Sequence, residues 1–205
     1  MTTPAVTQPT PYSLHASCEL SEDYFLTSDL LIGTGDEVIP FVNPYTKMVE
    51  AIVYTQANGG SVYHLQRDPS ATSGWLPYAI DLSGNVTDPT NVAVASNGSA
   101  VYLLVFGTPD NQFGAPAWLT QLDSAAVWDG GYDATYDELG FEDLDIDPST
   151  IGGFKGGIDQ YGHCYFYASG TDTSTQTTSV VGWFPESGWA TGDVSWQLLQ
   201  TLDSS

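Results

Sequence analysis

The chain has 205 residues, of which 25 are acidic and only 3 are basic, and its formal net charge at pH 7 is −22. Nucleic-acid binding depends on several Lys or Arg side chains that displace counterions from phosphates, so this charge argues against a nucleic-acid partner. It argues equally against an anionic membrane surface. With 41% hydrophobic residues, the chain has enough apolar surface to form a core, and a globular protein is expected.

Residues 1–20 are predicted to form a flexible polar leader. This segment is rich in threonine and proline and lacks the basic and apolar regions of a signal peptide. No part of the chain approaches the ~18 consecutive apolar residues that a membrane-spanning helix needs. A soluble protein without membrane insertion is therefore expected. Two locations are compatible with the sequence: the cytoplasm, and a virion or extracellular site reached by a non-classical route.

Residues 21–205 are predicted to form a single all-β domain. Strands are expected at residues 24–32, 38–42 and 49–54, and further strands follow glycine turns along the chain. Both faces of the segments 49–54 and 61–66 carry apolar residues, as stacked sheets require. The 21 glycines and 12 prolines interrupt every helical pattern.

Three segments repeat one order of features: a glycine turn, an aromatic-rich strand, a polar loop and a strand that opens on tryptophan. The opening residues are Trp75, Trp118 and Trp196, spaced by about one and two periods of ~40–45 residues. This period fits a β-propeller blade, in which about four short strands form one sheet. The three tryptophans are expected at equivalent positions in successive sheets. A β-sandwich or jelly roll is the alternative, because aromatic strands and glycine turns recur there too.

The three aromatic strands, Val62-Tyr-His-Leu65, Val101-Tyr-Leu-Leu104 and Cys164-Tyr-Phe-Tyr167, together with their glycine turns and downstream tryptophans, resemble the tachylectin and tectonin group of β-propeller lectins. The resemblance covers residues 48–203. It implies a five- or six-bladed propeller that binds sugars between its blades without catalysis. Residues 125–157 depart from the pattern, because they are very acidic and no clear turn and strand pair is expected there. The blade count therefore stays open, as does assembly into a larger ring.

Sugar binding needs an aromatic face for the ring and fixed hydrogen-bonding groups for the hydroxyls. Trp183 and Trp189 lie on either side of Glu186 in a segment with turn signals. These three residues, together with Tyr165 and Trp128, are the candidate ligand-binding residues. The alternative is that the two tryptophans are buried within the sheets, as large aromatic side chains usually are.

Residues 129–147 contain eight acidic side chains and no basic one. Calcium is the cation that suits such a loop, and the spacing of Asp143, Asp145 and Asp147 imitates the start of an EF-hand. However, Pro148 stands where the turn glycine is required, and Phe154 stands where the bidentate Glu is required. A solvated acidic loop is therefore predicted, with a calcium site of another design as the alternative and no other cofactor.

The sequence predicts a non-catalytic recognition module whose partner is a glycan or glycoprotein, bound through Trp and Tyr in loops. An enzyme is not expected, because the three histidines, His15, His64 and His163, show no catalytic spacing. The alternative is a structural subunit of a virion, tail or other extracellular assembly. Acidic, lysine-poor β proteins suit such assemblies, and a homo-oligomer would then be expected.

Overall fold

The computed structural model is an all-β protein. It describes residues 36–56, 60–71, 74–112, 114, 116–125, 127–134, 145–183, 185 and 197–202. Within these ranges the chain forms twelve strands, and no helix there has the length and apolar character needed to cross a membrane. The leader at residues 1–20 and the strand expected at residues 24–32 lie outside the described residues.

The strands form three antiparallel sheets, each made of four consecutive strands in up-and-down order, and none of the three is closed. Sheet I contains β1 (Glu37–Val42), β2 (Val49–Thr55), β3 (Ser61–Arg67) and β4 (Trp75–Ala79). Sheet II contains β5 (Val86–Ser96), β6 (Val101–Pro109), β7 (Ala117–Leu122) and β8 (Trp128–Ala134). Sheet III contains β9 (Gly152–Ile158), β10 (Cys164–Thr171), β11 (Thr178–Trp183) and β12 (Gln197–Leu202).

Sheet II is the middle layer and buries apolar side chains on both faces. One face packs on sheet I through Val92, Val94, Leu103, Val105 and Trp118, against Phe41, Ile52, Tyr54 and Val62. The other face packs on sheet III through Ala93, Ala95, Tyr102 and Leu104, against Phe154, Phe166, Ala168 and Val181. Successive side chains of a strand point to opposite faces, so β5 and β6 contribute to both cores. Stacked sheets were expected from the two apolar faces of the segments 49–54 and 61–66, which are β2 and β3. One of these faces packs on sheet II, and on the other face Ala51, Val53 and Leu65 are also buried.

The first strands of the three sheets lie next to one another. β5 packs against both β1 and β9, and Lys155 of β9 forms an ion pair with Glu37 of β1. The approach of β9 to β5 requires glycine at position 156, because a Cβ there would lie 1.7 Å from the Val94 carbonyl oxygen. The close packing of sheets II and III therefore depends on the absence of this side chain.

The expected equivalence of the tryptophans is wrong for the two that the structure describes. Trp75 opens β4, the fourth strand of its sheet, whereas Trp118 lies in β7, the third strand of the next sheet. Trp75 is half-buried, with the Arg67 guanidinium 4.6 Å from its ring centroid, whereas Trp118 is buried between sheets I and II. The repeated features span β3 and β4 in sheet I but β6 and β7 in sheet II, so they follow single hairpins and occupy different positions in the two sheets. Trp196 lies outside the described residues.

The interval of residues 125–157, in which no strand pair was expected, contains β8 and all but the last residue of β9. Their sequences, WDGGYDA and GGFKGGI, are rich in glycine, which has a low preference for strands. Glycine within a strand often marks a place where another group approaches the backbone closely. Gly156 meets this description.

Gly156→Ala is expected to lower the free energy of unfolding by about 1–3 kcal/mol, because its methyl group would force β9 away from β5. Gly152→Ala is the matched control in the same strand. An added Cβ at Gly152 meets no atom within 4 Å, so this variant should change stability by no more than about 1 kcal/mol. Urea unfolding monitored by circular dichroism would measure both, and equal stabilities of the two variants would contradict the packing described here.

Candidate functional site

A buried polar network lies between sheets I and II, and its central group is the carboxylate of Glu50. Asn43, Glu50 and His64 are at most 1% exposed. Glu50 Oε2 is 2.8 Å from His64 Nε2 and accepts a hydrogen bond of 2.7 Å from Asn43 Nδ2. The Thr46 hydroxyl donates to Oε1 at 2.9 Å. A carboxylate removed from water needs such donors, so the network is chemically complete around Glu50.

Trp128 connects this network to sheet II. Its indole nitrogen lies 3.4 Å from His64 Nδ1. An indole N–H can only donate a hydrogen bond, so Nδ1 must be the acceptor. The imidazole proton is therefore assigned to Nε2, which donates it to Glu50. Both ring nitrogens of His64 are thus used within the network.

The hydrogen bonds decide the charge state of Glu50. Burial by itself would raise the pKa of this carboxyl group. Hydrogen bonds from His64, Asn43 and Thr46 outweigh burial and lower the pKa below its ordinary value. Glu50 is consequently a buried anion at neutral pH.

The strand register explains why Glu50 and His64 meet. Ile52 of β2 is paired with His64 of β3. Glu50 lies two residues before Ile52 and so shares its face of the sheet. This pair was not predicted from the sequence. An available signal was that Glu50 alternates with the apolar residues Ile52 and Tyr54, on the face of β2 that packs against sheet II.

A cavity of ≈180 Å³, here called the inter-sheet cavity, adjoins this network. It is lined by His64, Tyr78, Ala79, Ile80, Asp81, Trp118 and Trp128. Tyr78, Trp118 and Trp128 come from three different strands, β4, β7 and β8. Trp118 is 6% exposed, Trp128 is half-buried, and Tyr78 is 44% exposed. The cavity therefore combines fixed aromatic walls with a more accessible tyrosine.

Neighbouring groups hold the two indoles in place. The Trp128 ring stands edge-on to His64, with the centroids 5.7 Å apart, and edge-on to Phe41 at 6.2 Å. The Trp118 indole lies against Gly131 of β8. A Cβ added at Gly131 would lie 1.9 Å from the indole nitrogen of Trp118. The glycine in β8 thus makes room for an indole of the cavity wall.

Asp81 is the acidic residue among those that line the inter-sheet cavity. Its Oδ1 accepts hydrogen bonds from the Ser83 hydroxyl at 2.6 Å and from the Ser83 backbone N–H at 3.0 Å. These bonds lower the pKa of Asp81, so its negative charge persists into the mildly acidic range. The same Asp-X-Ser turn recurs at Asp68, Asp147 and Asp172.

A second cavity, of ≈390 Å³, lies where the first strands of the three sheets end. It is lined by Pro40, Phe41, Val42, Val94, Ser96, Gly98, Gly156, Gly157 and Ile158. Among these lining residues, only Ser96 has a polar side chain. Val42 and Ile158 are exposed. This cavity has fewer groups that could orient a polar ligand than the inter-sheet cavity has.

Of the predicted ligand-binding residues, Trp128 lines the inter-sheet cavity. Trp183 is only 3% exposed and stacks on Phe166 in the core between sheets II and III, with ring centroids 6.1 Å apart. Tyr165 is half-buried on sheet III, 6.0 Å from the Tyr167 ring. Trp189 and Glu186 lie outside the described residues. The three described candidates therefore lie in three separate places and do not form one site.

The candidate calcium ligands are described only in part. Asp145 is exposed, and Asp147 accepts hydrogen bonds from the Ser149 hydroxyl at 2.7 Å and the Ser149 backbone N–H at 2.9 Å. Asp143 lies outside the described residues. Within the ranges that the structure describes, no group of three or more His, Cys, Asp or Glu side chains is arranged to hold a metal ion.

Comparison of the chain with protein-family models, with curated proteins and with solved structures finds no match. Its function is therefore inferred from its own residues and their geometry. Of the two cavities described here within the part of the chain that the structure covers, the inter-sheet cavity is the stronger candidate site, because it combines several aromatic side chains with an acidic residue.

Glu50→Gln is expected to destabilise the protein by about 1–3 kcal/mol at pH 7, since hydrogen bonds to a charged acceptor are lost. The pKa of Glu50 is lowered in the folded state. Its ionisation therefore adds stability above the unfolded pKa of about 4.3, and this contribution disappears as the pH falls through the folded pKa. Urea unfolding at several pH values should show the difference between wild type and variant shrinking from pH 7 to pH 3. A difference independent of pH would contradict the assigned charge.

Proposed function

We propose that the protein is a non-catalytic recognition module that binds carbohydrate in the inter-sheet cavity. The observation that supports this function is the convergence of Trp118, Trp128 and Tyr78 with Asp81 around one opening. Aromatic faces pack against the C–H faces of a sugar ring, and a carboxylate accepts hydrogen bonds from its hydroxyls. Both requirements are met within one cavity.

The size of the cavity favours a small ligand. Its volume of ≈180 Å³ is below the roughly 300–1,000 Å³ of pockets that enclose drug-sized molecules. A single sugar ring, or the terminal ring of a glycan, suits this space better than an extended oligosaccharide. Tyr78, the most exposed of the three aromatic residues, would contact the ring at the cavity mouth.

The hydrogen-bonding pattern favours binding over catalysis. A general base must have a lone pair within reach of the substrate proton. Both nitrogens of His64 already have partners, in Glu50 and Trp128. Glu50 itself is buried and is not among the residues lining the cavity. The pair is better suited to holding Trp128 in position than to moving a proton.

A propeller-like arrangement is part of this proposal. It is supported by the three four-stranded up-and-down sheets, which stack face to face with their first strands adjacent. Propellers typically contain four to eight blades, so a ring would need at least one sheet more than the three described. A second copy of the chain is one source of further blades.

A structural subunit is the second candidate function. Several large apolar side chains are exposed in or beside the neighbouring turns that follow β1 and β7: Val42, Tyr45, Met48, Val49 and Val127. The Asn43 side chain donates to the Ala125 carbonyl, which joins these two turns. Exposed apolar groups of this kind are suited to contacts between subunits.

Tryptophan fluorescence titrated with hexoses, fucose, N-acetylhexosamines, amino sugars and sialic acid would test the lectin proposal. At least one sugar should give a saturable change. Tyr78→Ala should weaken its binding by about 3–10-fold, as expected for loss of one aromatic contact. Tyr161→Ala is the matched control, because Tyr161 is exposed and lies outside the cavity. The absence of a saturable response to every sugar, or equal effects of the two variants, would contradict the proposal.

Size-exclusion chromatography with light scattering would distinguish the two candidate functions. The lectin proposal predicts a monomer or a small closed oligomer. A large assembly that Val49→Asp disperses would favour the structural subunit, because a buried, unpaired charge disrupts an apolar contact.

A further inference from the structure

The charges around the inter-sheet cavity have one sign. Asp81 is part of its wall, and the buried Glu50 anion lies directly behind His64, with 2.8 Å between their hydrogen-bonded atoms. No Lys or Arg is among the lining residues. Of the three basic residues, Arg67 and Lys155 are engaged elsewhere, on Trp75 and Glu37. Lys47 is exposed in the turn between β1 and β2 and is not among the lining residues.

The aromatic walls add to this negative potential. The faces of Trp and Tyr rings carry negative electrostatic potential and attract ammonium groups, most strongly when the site is shielded from water. Trp118 is buried and Trp128 is half-buried. A cation entering the cavity would therefore meet aromatic side chains together with Asp81.

We propose that the sugar bound in the inter-sheet cavity is an amino sugar whose amine is free and protonated. This inference rests on the proposed function and narrows its ligand class. The pyranose ring packs against the aromatic side chains, and its ammonium group pairs with Asp81. Sugars that carry a carboxylate are disfavoured, since Asp81 and the net charge of −22 repel them.

Asp68 provides a close control for Asp81. Both residues begin an Asp-X-Ser turn in which the carboxylate accepts hydrogen bonds from the serine hydroxyl and backbone N–H. Both have a lowered pKa for that reason, and Asp68 is not among the cavity residues. Replacing either one with Asn removes the same charge from the chain, so a difference between the two variants reports a local interaction. Asn retains the side-chain oxygen that forms the turn.

The experiment is isothermal titration calorimetry at pH 6 and low salt, with glucosamine, N-acetylglucosamine, glucuronate and tetramethylammonium as separate probes. N-acetylation removes the charge of glucosamine and leaves its ring. Glucosamine should bind at least tenfold more tightly than N-acetylglucosamine, and glucuronate should bind most weakly of the sugars. In Asp81→Asn, the affinities for glucosamine and N-acetylglucosamine should lie within about twofold of each other. Asp68→Asn should keep the wild-type preference for glucosamine.

Each contrary result has a separate meaning. Equal binding of glucosamine and N-acetylglucosamine by the wild type would overturn the amino-sugar inference while leaving the lectin function intact. Equal loss of the preference in both Asn variants would overturn the role of Asp81. Tetramethylammonium binding as tightly as glucosamine would overturn the assignment to a sugar, in favour of organic cations in general. Failure of all sugars to bind, in this titration and in the fluorescence panel, would overturn the proposed function itself.

Discussion

The candidate site depends on a chain of hydrogen bonds that starts at Asn43 and Thr46, passes through Glu50 and His64, and ends at Trp128. Each side chain in this network is a hydrogen-bond partner of the next. Removing any one of them therefore leaves a buried polar group unpaired, at a cost of about 1–3 kcal/mol. This series of hydrogen bonds also crosses from sheet I to sheet II. It therefore both joins two sheets and fixes the orientation of an indole that forms the cavity wall, which is the preorganisation that a rigid binding site requires.

Glycine has the complementary role of allowing close approach. Gly156 brings β9 against β5, and Gly131 leaves the space that the Trp118 indole fills. Both lie in strands whose composition is unfavourable for isolated β-structure. Packing between sheets thus compensates for low strand preference, and the same packing creates the inter-sheet cavity at the edge of the core between sheets I and II.

Much of the fold was predictable because its signals are local. Alternating apolar residues and glycine turns predicted strands at residues 38–42, 49–54 and 61–66, which the structure has as β1, β2 and β3. β8 and β9 were missed because their glycine content hides the alternation. The pairing of Glu50 with His64 depends on the register of β2 and β3, and the cavity depends on side chains from β4, β7 and β8. These are long-range relationships that a single sequence does not encode in its local pattern.

The hydrogen-bonded state of His64 is the most direct test of this account, because the cavity wall is positioned through it. Long-range ¹H–¹⁵N correlation spectra at neutral pH report which imidazole nitrogen carries the proton. The network described here predicts a neutral ring protonated at Nε2, with Nδ1 unprotonated and the Trp128 indole N–H protected from exchange with solvent. A proton on Nδ1, or rapid exchange of that indole N–H, would contradict the network and with it the geometry of the site.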